Sequence, residues 1–568
     1  MRFKTSFQIL FIVIACLAVY YPSLSVGINS VDDAHIVAAY ESSADKNPIE
    51  FFIPKSSHYV RPLVEISFYL DNLLWAMHPR FMHLENILLH ICNALLLYCF
   101  ARQLCLVWGN LALRFPFYAA LLFAVHPINT ESVTWIAGRT DPLASVFVLS
   151  AYIFLVKSIT KEKLFYLIPA FFFAVLACLS KEVALFFFPS ALCLIYCWPT
   201  NSSHKQTVVK LLSITLFVIF MLAVYVIWNS ASNSVYYLLN NPSGEVINII
   251  KNIFISFGFY LTKLIQPFPL NFAIDKVTAW FIVPGILGSV LLFYFMVKWR
   301  SQGVLFVICC LFLVPALLIS IKQVAWTPYA ERYLYLPSAF FALLVSSGFS
   351  GRFMSAKRSN LITLFMIISI VAGSYFTVER NLLWQDFESL YRDTIKKSPQ
   401  FGAVHLELAG IMLRDGRIEE AAKELELAEK YNKRDSIKYL IKEKQMLLKI
   451  MQEDYVGARE FFYRTFNRKI DADIVFLRLL NKTDELVAAK SSNIKIKKQL
   501  YSDMIDTYDV MYKKSKDPFY LYQSALLEFR AGNKTNSLNL MKKVVDEAPL
   551  DSHYLAASKV WLKRLESR

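Results

Sequence analysis

The sequence predicts an all-α protein in two parts: a polytopic membrane helical bundle, followed by a soluble array of helical repeats. Three observations support this prediction. Hydrophobic residues make up 56% of the 568 residues and charged residues only 18%, as in integral membrane proteins. Long apolar runs recur along the first two thirds of the chain, and a charged sequence with a repeat pattern follows. We therefore predict a membrane domain over residues 1–378 and an extracytoplasmic repeat domain over residues 379–568.

The apolar runs have about the length that a bilayer-crossing helix needs, roughly 20 residues. The start, MRFKTSFQILFIVIACLAVYYPSL, is long and lacks a cleavage site, so we predict a retained first span. With it we count about eleven spans, and we interpret the segment 247–268 as re-entrant or interfacial. The other spans are predicted near residues 84–101, 115–127, 141–158, 163–179, 183–199, 208–228, 279–297, 302–321, 333–349 and 361–378.

The basic residues predict the orientation of these spans. The net charge of +16 comes mainly from short connectors between apolar runs and from the C-terminal part, so we predict no nucleic-acid partner. Positively charged connectors stay in the cytoplasm, where Arg2 and Lys4 would also lie. The basic connectors are residues 102–114, 157–163, 204–210, 298–300 and 352–358. The polar segments that then face outward are residues 32–33, 126–141, 180–182, 271–275 and 330–337.

Two segments of the second part share the small and apolar positions of a helix-turn-helix repeat of about 34 residues. They are HLELAGIMLRDGRIEEAAKELELAEKYNK and LYQSALLEFRAGNKTNSLNLMKKVVDEAP. Small residues are needed where the two helices touch, and Gly416 and Gly532 fall where one helix would turn into the next. We predict a solenoid of tetratricopeptide repeats, with degenerate repeats between the two good copies.

Ionisable residues at membrane depth are costly, and each therefore marks a candidate site. His83, Asn86 and His90 share one helical face, which is also typical of a polar stripe that hydrogen-bonds a neighbouring helix. Arg139 is the candidate for a lipid phosphate, since guanidinium binds phosphate bidentately. A structural ion-pair network is the alternative. The residues grouped with Arg139 are His126, Glu131 and Asp141.

Adjacent opposite charges mark two further outer segments. Lys181 precedes Glu182, and Glu331 precedes Arg332, at predicted span boundaries. Interfacial anchoring explains each pair singly. With the pair Asp32–Asp33 and with Asp275, however, the clusters all fall on one side of the membrane. This coincidence predicts a single polar site that faces outward.

The order of these motifs resembles the TMTC family of transmembrane and tetratricopeptide-repeat O-mannosyltransferases, within the C-type glycosyltransferase (GT-C) superfamily. The resemblance runs from about residue 28 to 435 and is most specific in HPINTESVTWIAGRTD and AERYLYLP. It also includes DD after the first span, RPL with Arg61, the H..N...H helix, SKE, and W.D...L...T...SP before the repeats.

The resemblance implies transfer of a sugar, mannose in this family, from a polyprenyl-phosphate donor to Ser or Thr hydroxyls with inversion. Asp32 would be the catalytic base, and Asp33 would position the acceptor or tune the pKa of its neighbour. Arg139 would bind the donor phosphate, with Lys181 and Arg332 as alternatives. The remaining predicted site residues are Arg61, His83, Asn86, His90, His126, Glu131, Asp141, Glu182, Asp275 and Glu331.

No metal ligand is assigned, because two carboxylates and scattered histidines do not define a site; a divalent metal is left open. The repeat domain would capture the acceptor protein. Loops shorter and repeats fewer than in animal members suggest a bacterial inner-membrane protein with periplasmic repeats. The alternative is the endoplasmic reticulum membrane with lumenal repeats.

Two rival functions remain open. One keeps the donor chemistry but uses a glycolipid or an envelope polysaccharide as acceptor. The other is a non-enzymatic, membrane-anchored repeat scaffold. The polar clusters of the membrane domain count against a scaffold, because a scaffold has no need for charges at membrane depth.

Overall fold

In the computed structural model, all helices and strands assigned within the described part of the chain are helices, which confirms the all-α prediction. Within that part no β-strand occurs, and a single antiparallel bridge joins Ile274 to Tyr329. Arg2, Lys4 and parts of three basic connectors (102–114, 298–300 and 352–358) lie outside the described residues. The described ranges are 5–41, 47–53, 61–108, 114–198, 202–230, 242–298, 300–322, 327–348, 356–432, 434–550 and 552–566.

The chain divides into two compact units, Met1–Pro399 and Gln400–Arg568. The first unit thus extends beyond residue 378, where the composition changes. Residues up to 399 stay with it because an amphipathic helix there packs back on the last long apolar helix. That helix, Phe387–Lys397, buries Leu390, Tyr391 and Thr394.

The first unit contains sixteen described α-helices, α1 to α16. They are α1 (Thr5–Tyr20), α2 (Asp33–Glu41), α3 (Pro62–Trp75), α4 (Pro79–Trp108), α5 (Phe115–Ala124), α6 (Thr130–Thr134), α7 (Thr140–Lys161), α8 (Leu167–Ser180), α9 (Phe187–Tyr196), α10 (Ser203–Ser230), α11 (Pro242–Ile265), α12 (Ile282–Lys298), α13 (Arg300–Lys322), α14 (Tyr335–Gly348), α15 (Ala356–Trp384) and α16 (Phe387–Lys397).

Among the described residues, five helical segments are long and apolar enough to cross a membrane. Shorter apolar helices accompany them, so these segments fit a membrane protein without establishing the predicted number of spans. The five are Thr5–Ser25, Pro79–Trp108, Ala137–Lys161, Gln302–Ser320 and Asn360–Trp384. The shorter ones are Phe115–Ala124, Leu164–Ser180, Glu182–Tyr196 and Ala279–Phe295.

The segment 247–268 does not fold back as a re-entrant loop would. It lies largely in α11, one continuous helix of 24 residues that packs against α12 and α13. Contact with α12 is very close, because both helices present glycine. A Cβ on Gly258 would lie 1.9 Å from the carbonyl oxygen of Phe281, and one on Gly285 would lie 2.0 Å from that of Phe254.

The second unit is a series of helices, α17 to α25, in which each packs against the next. The two predicted repeat copies form α17–α18 and α23–α24, turning at Gly416 and Gly532 with φ of +74° and +96°. The residues between them form α19 to α22. The helices are α17 (Gly402–Arg414), α18 (Ile418–Tyr431), α19 (Asp435–Met451), α20 (Tyr455–Thr465), α21 (Ile474–Lys490), α22 (Ile494–Ser515), α23 (Pro518–Ala531), α24 (Lys534–Glu547) and α25 (Leu555–Glu566).

Candidate active site

Asp32 and Asp33 lie in opposite environments at the start of α2. Asp33 is buried, and its two carboxylate oxygens accept the backbone amides of Asn29 (3.2 Å) and Ala137 (2.9 Å). Asp32 is exposed, and its carboxylate makes no hydrogen bond to any described residue. The sequence pair DD is therefore one structural carboxylate next to one available carboxylate.

Desolvation acts on both carboxyl groups. Loss of surrounding water raises the pKa of Asp32, while the nearby charges of Arg332, His35 and Arg61 oppose that rise. Burial raises the pKa of Asp33 to about 7, although two backbone amides favour its charged form. A raised pKa makes Asp32 a better proton acceptor than an ordinary aspartate.

Most of the other acidic residues in the predicted outer segments lie at the start of a helix, where the positive end of the helix dipole favours negative charge. Glu131 lies in the first turn of the short helix α6, and Asp141 lies in the first turn of the long helix α7. Glu182 and Glu331 each begin a 3-10 helix, ahead of α9 and α14 respectively. The first turns of these helices thus present the carboxylates of the predicted outer segments.

Among the charged groups around Asp32, Arg332 has the largest effect on the pKa of its carboxyl group, which it lowers. Its guanidinium pairs with Glu131 at 2.5 Å, and its backbone amide donates to the same carboxylate at 3.0 Å. The guanidinium also lies over the rings of Trp135 (5.1 Å) and Tyr333 (5.0 Å). These contacts hold the Arg332 guanidinium in one position.

Arg61 forms a bidentate ion pair with Glu182. Its Nε lies 3.1 Å from one carboxylate oxygen, and its terminal Nη2 lies 2.6 Å from the other. Lys181 pairs with Asp141 at 2.6 Å. The charges of Arg61 and Glu182 act in turn on the pKa of Lys181, which desolvation lowers. The SKE segment, the RPL segment and the GRTD segment therefore meet.

Lys263 pairs with Glu331 at 2.8 Å, and Glu331 also accepts the backbone amide of Asn271 at 2.9 Å. Asp275 is half-buried and follows Ile274, whose carbonyl accepts the amide of Tyr329 at 3.3 Å. The structure thus brings the predicted outer segments into one region, which we call the outer cluster. Its members are Asp32, Arg61, Glu131, Asp141, Lys181, Glu182, Lys263, Glu331 and Arg332.

Arg139 is not placed to bind a phosphate. It is fully buried, and its guanidinium donates to Asn86 (2.9 Å), Asp71 (2.6 Å) and the carbonyl of Met82 (3.1 Å). Phe68 lies 4.8 Å from its charged carbon. The donor-phosphate prediction for Arg139 is thus at odds with the structure, which shows the alternative, an internal ion-pair network.

The predicted histidine and asparagine stripe of α4 is likewise internal. His83 is buried, and Asn86 donates to the carbonyl of Trp135 at 3.0 Å. His90 contacts the hydroxyl of Tyr335 at 2.7 Å through Nδ1. His126 accepts the amide of Ile128 at 3.2 Å and so caps the 3-10 helix that follows it. These contacts fit the polar-stripe alternative.

Besides Lys263 of the outer cluster, three residues that hold this region together were not predicted from the sequence. Asp71 shares the buried face of α3 with Val64 and Phe68, so its helical spacing marked it as an internal carboxylate. Asn29 and Tyr391 hold the loop before α2, where the Tyr391 hydroxyl donates to Asn29 Oδ1 at 3.1 Å. Tyr391 follows Leu390 of the W.D...L motif, but no spacing indicated its partner.

Within the described ranges, no group of three or more His, Cys, Asp or Glu side chains is arranged to hold a metal ion. We assign no metal ligand.

The chain was compared with known proteins. No family model matches it, and no solved structure matches it. A protein O-mannosyl-transferase of Caenorhabditis elegans is 26% identical over 378 residues, which cover 64% of this chain and 52% of that protein. Protein O-mannosyl-transferase TMTC3 of Mus musculus is 24% identical over 77% of this chain and 49% of its own length. Protein O-mannosyl-transferase Tmtc3 of Drosophila melanogaster is 33% identical over 27% of this chain and 19% of its own length.

The chain spans about half the length of the Caenorhabditis elegans protein and of Mus musculus TMTC3. These relatives are animal proteins, so they give no support to the predicted bacterial origin. Their names agree with the resemblance that the sequence motifs indicated. The chain is therefore similar, over most of its length, to protein O-mannosyl-transferases of the TMTC type.

Proposed function

We propose that the protein is a membrane glycosyltransferase of the TMTC family that transfers mannose to Ser or Thr hydroxyls of proteins. The donor is a polyprenyl-phosphate mannose, and the site faces the non-cytoplasmic side. The second unit, a tetratricopeptide-repeat solenoid in this proposal, captures the acceptor polypeptide. Similarity to protein O-mannosyl-transferases and the apolar helices of the first unit support this function.

The observation that carries the proposal is the state of Asp32. Its carboxylate is exposed and makes no hydrogen bond within the described residues, and cationic Arg332 and Arg61 lie nearby. A weak hydroxyl nucleophile benefits from a carboxylate base within hydrogen-bond reach. A phosphate leaving group benefits from cations held in place beforehand. The outer cluster offers both.

In the proposed reaction, Asp32 accepts the proton of the acceptor hydroxyl as its oxygen attacks the anomeric carbon of the sugar. The bond between that carbon and the phosphate oxygen breaks, and its electron pair leaves with the phosphate. A phosphate ester is already an acidic leaving group, so no proton donor is required. One displacement inverts the configuration at the anomeric carbon.

Arg332 is the residue that we assign to the donor phosphate, with Arg61 as its neighbour. Their side chains are 12% and 22% exposed, whereas that of Arg139 is 1% exposed. Lys181 is 10% exposed and bound to Asp141, which leaves it as the weaker alternative. Asp33 holds the loop and need not contact the acceptor.

The test uses the purified protein in nanodiscs with polyprenyl-phosphate mannose and peptides that carry Ser and Thr. We expect transfer by the wild type and a loss of about 10²- to 10⁴-fold in Asp32→Asn. Asp509→Asn, in an exposed ion pair of α22, is the matched control and should retain full activity. Equal activity in Asp32→Asn would remove Asp32 as the base. No transfer by the wild type with a competent donor would contradict the function.

A further inference from the structure

We infer that Tyr391 is a positioning residue that fixes the loop carrying Asp32, and that α16 thereby sets the base against Arg332. This inference deepens the proposed function and rests on it for its catalytic consequence. The structural part, a clamp on the loop of residues 29–33, stands on contacts alone.

The Tyr391 hydroxyl is the centre of the clamp. It donates to Asn29 Oδ1 at 3.1 Å and lies 3.0 Å from the hydroxyl of Ser30, within hydrogen-bond distance. Asn29 Oδ1 also accepts the amide of Val31 at 2.8 Å. The phenol hydroxyl therefore contacts Asn29 and Ser30 directly, and Asn29 in turn holds Val31, the residue before Asp32.

The other end of the loop is fixed by Asp33, which accepts the amides of Asn29 and Ala137. Asp32 stands between the two fixed ends. Its own carboxylate has no hydrogen bond to the described residues, so within the described part of the chain the backbone contacts of the loop are what hold Asp32 in place. If the loop became more mobile, the position of the Asp32 carboxylate would become less well defined.

Helix α16 is itself held firmly. Asp386 caps it by accepting the amides of Glu388 and Ser389, both at 3.2 Å. Tyr391 is fully buried, with its ring 6.2 Å from that of Phe272 and 6.4 Å from that of Phe387. A ring packed in this way keeps its hydroxyl in one place.

The C-terminal end of α16 contacts a second segment, residues 270–271, which in turn binds the outer cluster. Lys397 donates to the carbonyl of Leu270 at 2.8 Å, and Asn271 donates to the hydroxyl of Ser398 at 2.9 Å. The amide of Asn271 in turn binds Glu331, the residue before Arg332. Helix α16 thus contacts the loop that carries Asp32 directly, and it is linked to the residue before Arg332 through Asn271.

The test compares Tyr391→Phe with the wild type in nanodiscs. The variant keeps the ring and removes only the hydroxyl. We expect unchanged thermal stability, unchanged KM for polyprenyl-phosphate mannose, and kcat for peptide mannosylation about tenfold lower, because a misplaced group costs rate and not donor binding. Hydrogen–deuterium exchange at residues 30–34 should be faster. Asn29→Ala, which removes the acceptor of both the Tyr391 hydroxyl and the Val31 amide, should speed this exchange at least as much as Tyr391→Phe does.

Tyr375→Phe is the control, because Tyr375 lies on α15 with 65% of its surface exposed. Unchanged exchange of the loop in Tyr391→Phe overturns the clamp, whatever the kinetics. Faster exchange with unchanged kcat overturns the positioning role. Absence of transfer by the wild type would instead refute the proposed function, and the exchange measurement would still decide the clamp.

Discussion

At the scale of single residues, the chemistry of the site depends on how Asp32 differs from Asp33. Asp33 has both oxygens occupied by backbone amides, whereas Asp32 has none occupied by a described residue. A carboxylate with satisfied oxygens is part of the fold, and one without is available to a substrate. Sequence alone marks the pair but gives no sign of which member is which, because the difference comes from Ala137, more than 100 residues away.

The pH dependence of transfer should report the state of Asp32. The base must be deprotonated, and desolvation raises its pKa above the ordinary 3.8. We therefore expect kcat/KM to rise with pH. The midpoint of this rise should lie at a higher pH than the pKa of an unperturbed aspartate. The measurement is kcat/KM across the acidic to neutral range, with donor stability checked at each pH. A profile that is flat down to the ordinary aspartate pKa would contradict the raised value.

Substitution of Arg139 should affect folding and leave donor recognition intact. Arg139→Ala leaves buried Asp71 without its cation, and breaking a buried pair costs about 3–5 kcal/mol. The measurement is thermal unfolding in detergent, alongside KM for the donor of the folded fraction. Arg464→Ala, whose side chain is 81% exposed, should change stability by less than about 0.5 kcal/mol. Weaker donor binding by a fully stable Arg139→Ala would restore its phosphate role.

At the scale of elements, glycines let α11 and α12 approach each other closely. A Cβ at Gly285 would lie 2.0 Å from a backbone oxygen, so Gly285→Ala must push the two helices apart. We expect a loss of a few kcal/mol in unfolding free energy, as for other overpacked sites. Gly348→Ala is the control, because no atom of the described residues lies within 4 Å of its Cβ position. Denaturation curves of both variants decide the point; equal stability would mean that α11 and α12 separate without cost.

Helix positions were predictable where apolar runs were long, but the roles of short elements were not. The runs near 84–101 and 141–158 became α4 and α7, because a bilayer-length apolar segment has few alternatives to a helix. The amphipathic helices α3 and α16 carry fewer apolar residues. Their roles depend on contacts with residues that are distant in sequence. Asp71 on α3 and Tyr391 on α16 show this, since each contacts a residue outside its own helix.

At the scale of the whole molecule, each unit has its own buried charges. In the second unit Asp484 is fully buried, and burial raises its pKa to about 6 against the opposing charge of Arg459. The folded state therefore holds this proton more tightly than the unfolded state, whose aspartates titrate near 4. The resulting stabilisation is complete below about pH 4 and is lost as the pH rises through about 6.

We expect Asp484→Asn to remove this dependence on pH. The unfolding free energy of the variant minus that of the wild type should therefore be larger at about pH 7 than at about pH 4, by on the order of 1 kcal/mol. The measurement is the unfolding free energy of the full chain at both pH values. Asp509→Asn, which is half exposed, should follow the wild type at each pH. Parallel behaviour of Asp484→Asn and wild type would show that Arg459 already compensates the buried charge.

For the whole molecule, the all-α fold class was predicted correctly, but the number of membrane spans was predicted only approximately. Composition alone predicts helices in a membrane, since an apolar chain has little other choice. Convergence of the predicted outer segments followed from charge asymmetry, which predicted Lys181 and Arg332 on one side of the membrane. The function of Arg139 was not, because a guanidinium suits a phosphate and an internal carboxylate equally well, and only the fold supplies Asp71 as its partner.

Every cation of the outer cluster already has a carboxylate partner. The pairs are Arg61 with Glu182, Lys181 with Asp141, Lys263 with Glu331, and Arg332 with Glu131. With Asp32 the cluster has five carboxylates against four cations, so in the proposed reaction the donor phosphate would exchange partners with resident carboxylates instead of meeting bare positive charge. Such an exchange would limit how tightly the spent lipid carrier is held. A site built in this way would favour turnover over product inhibition.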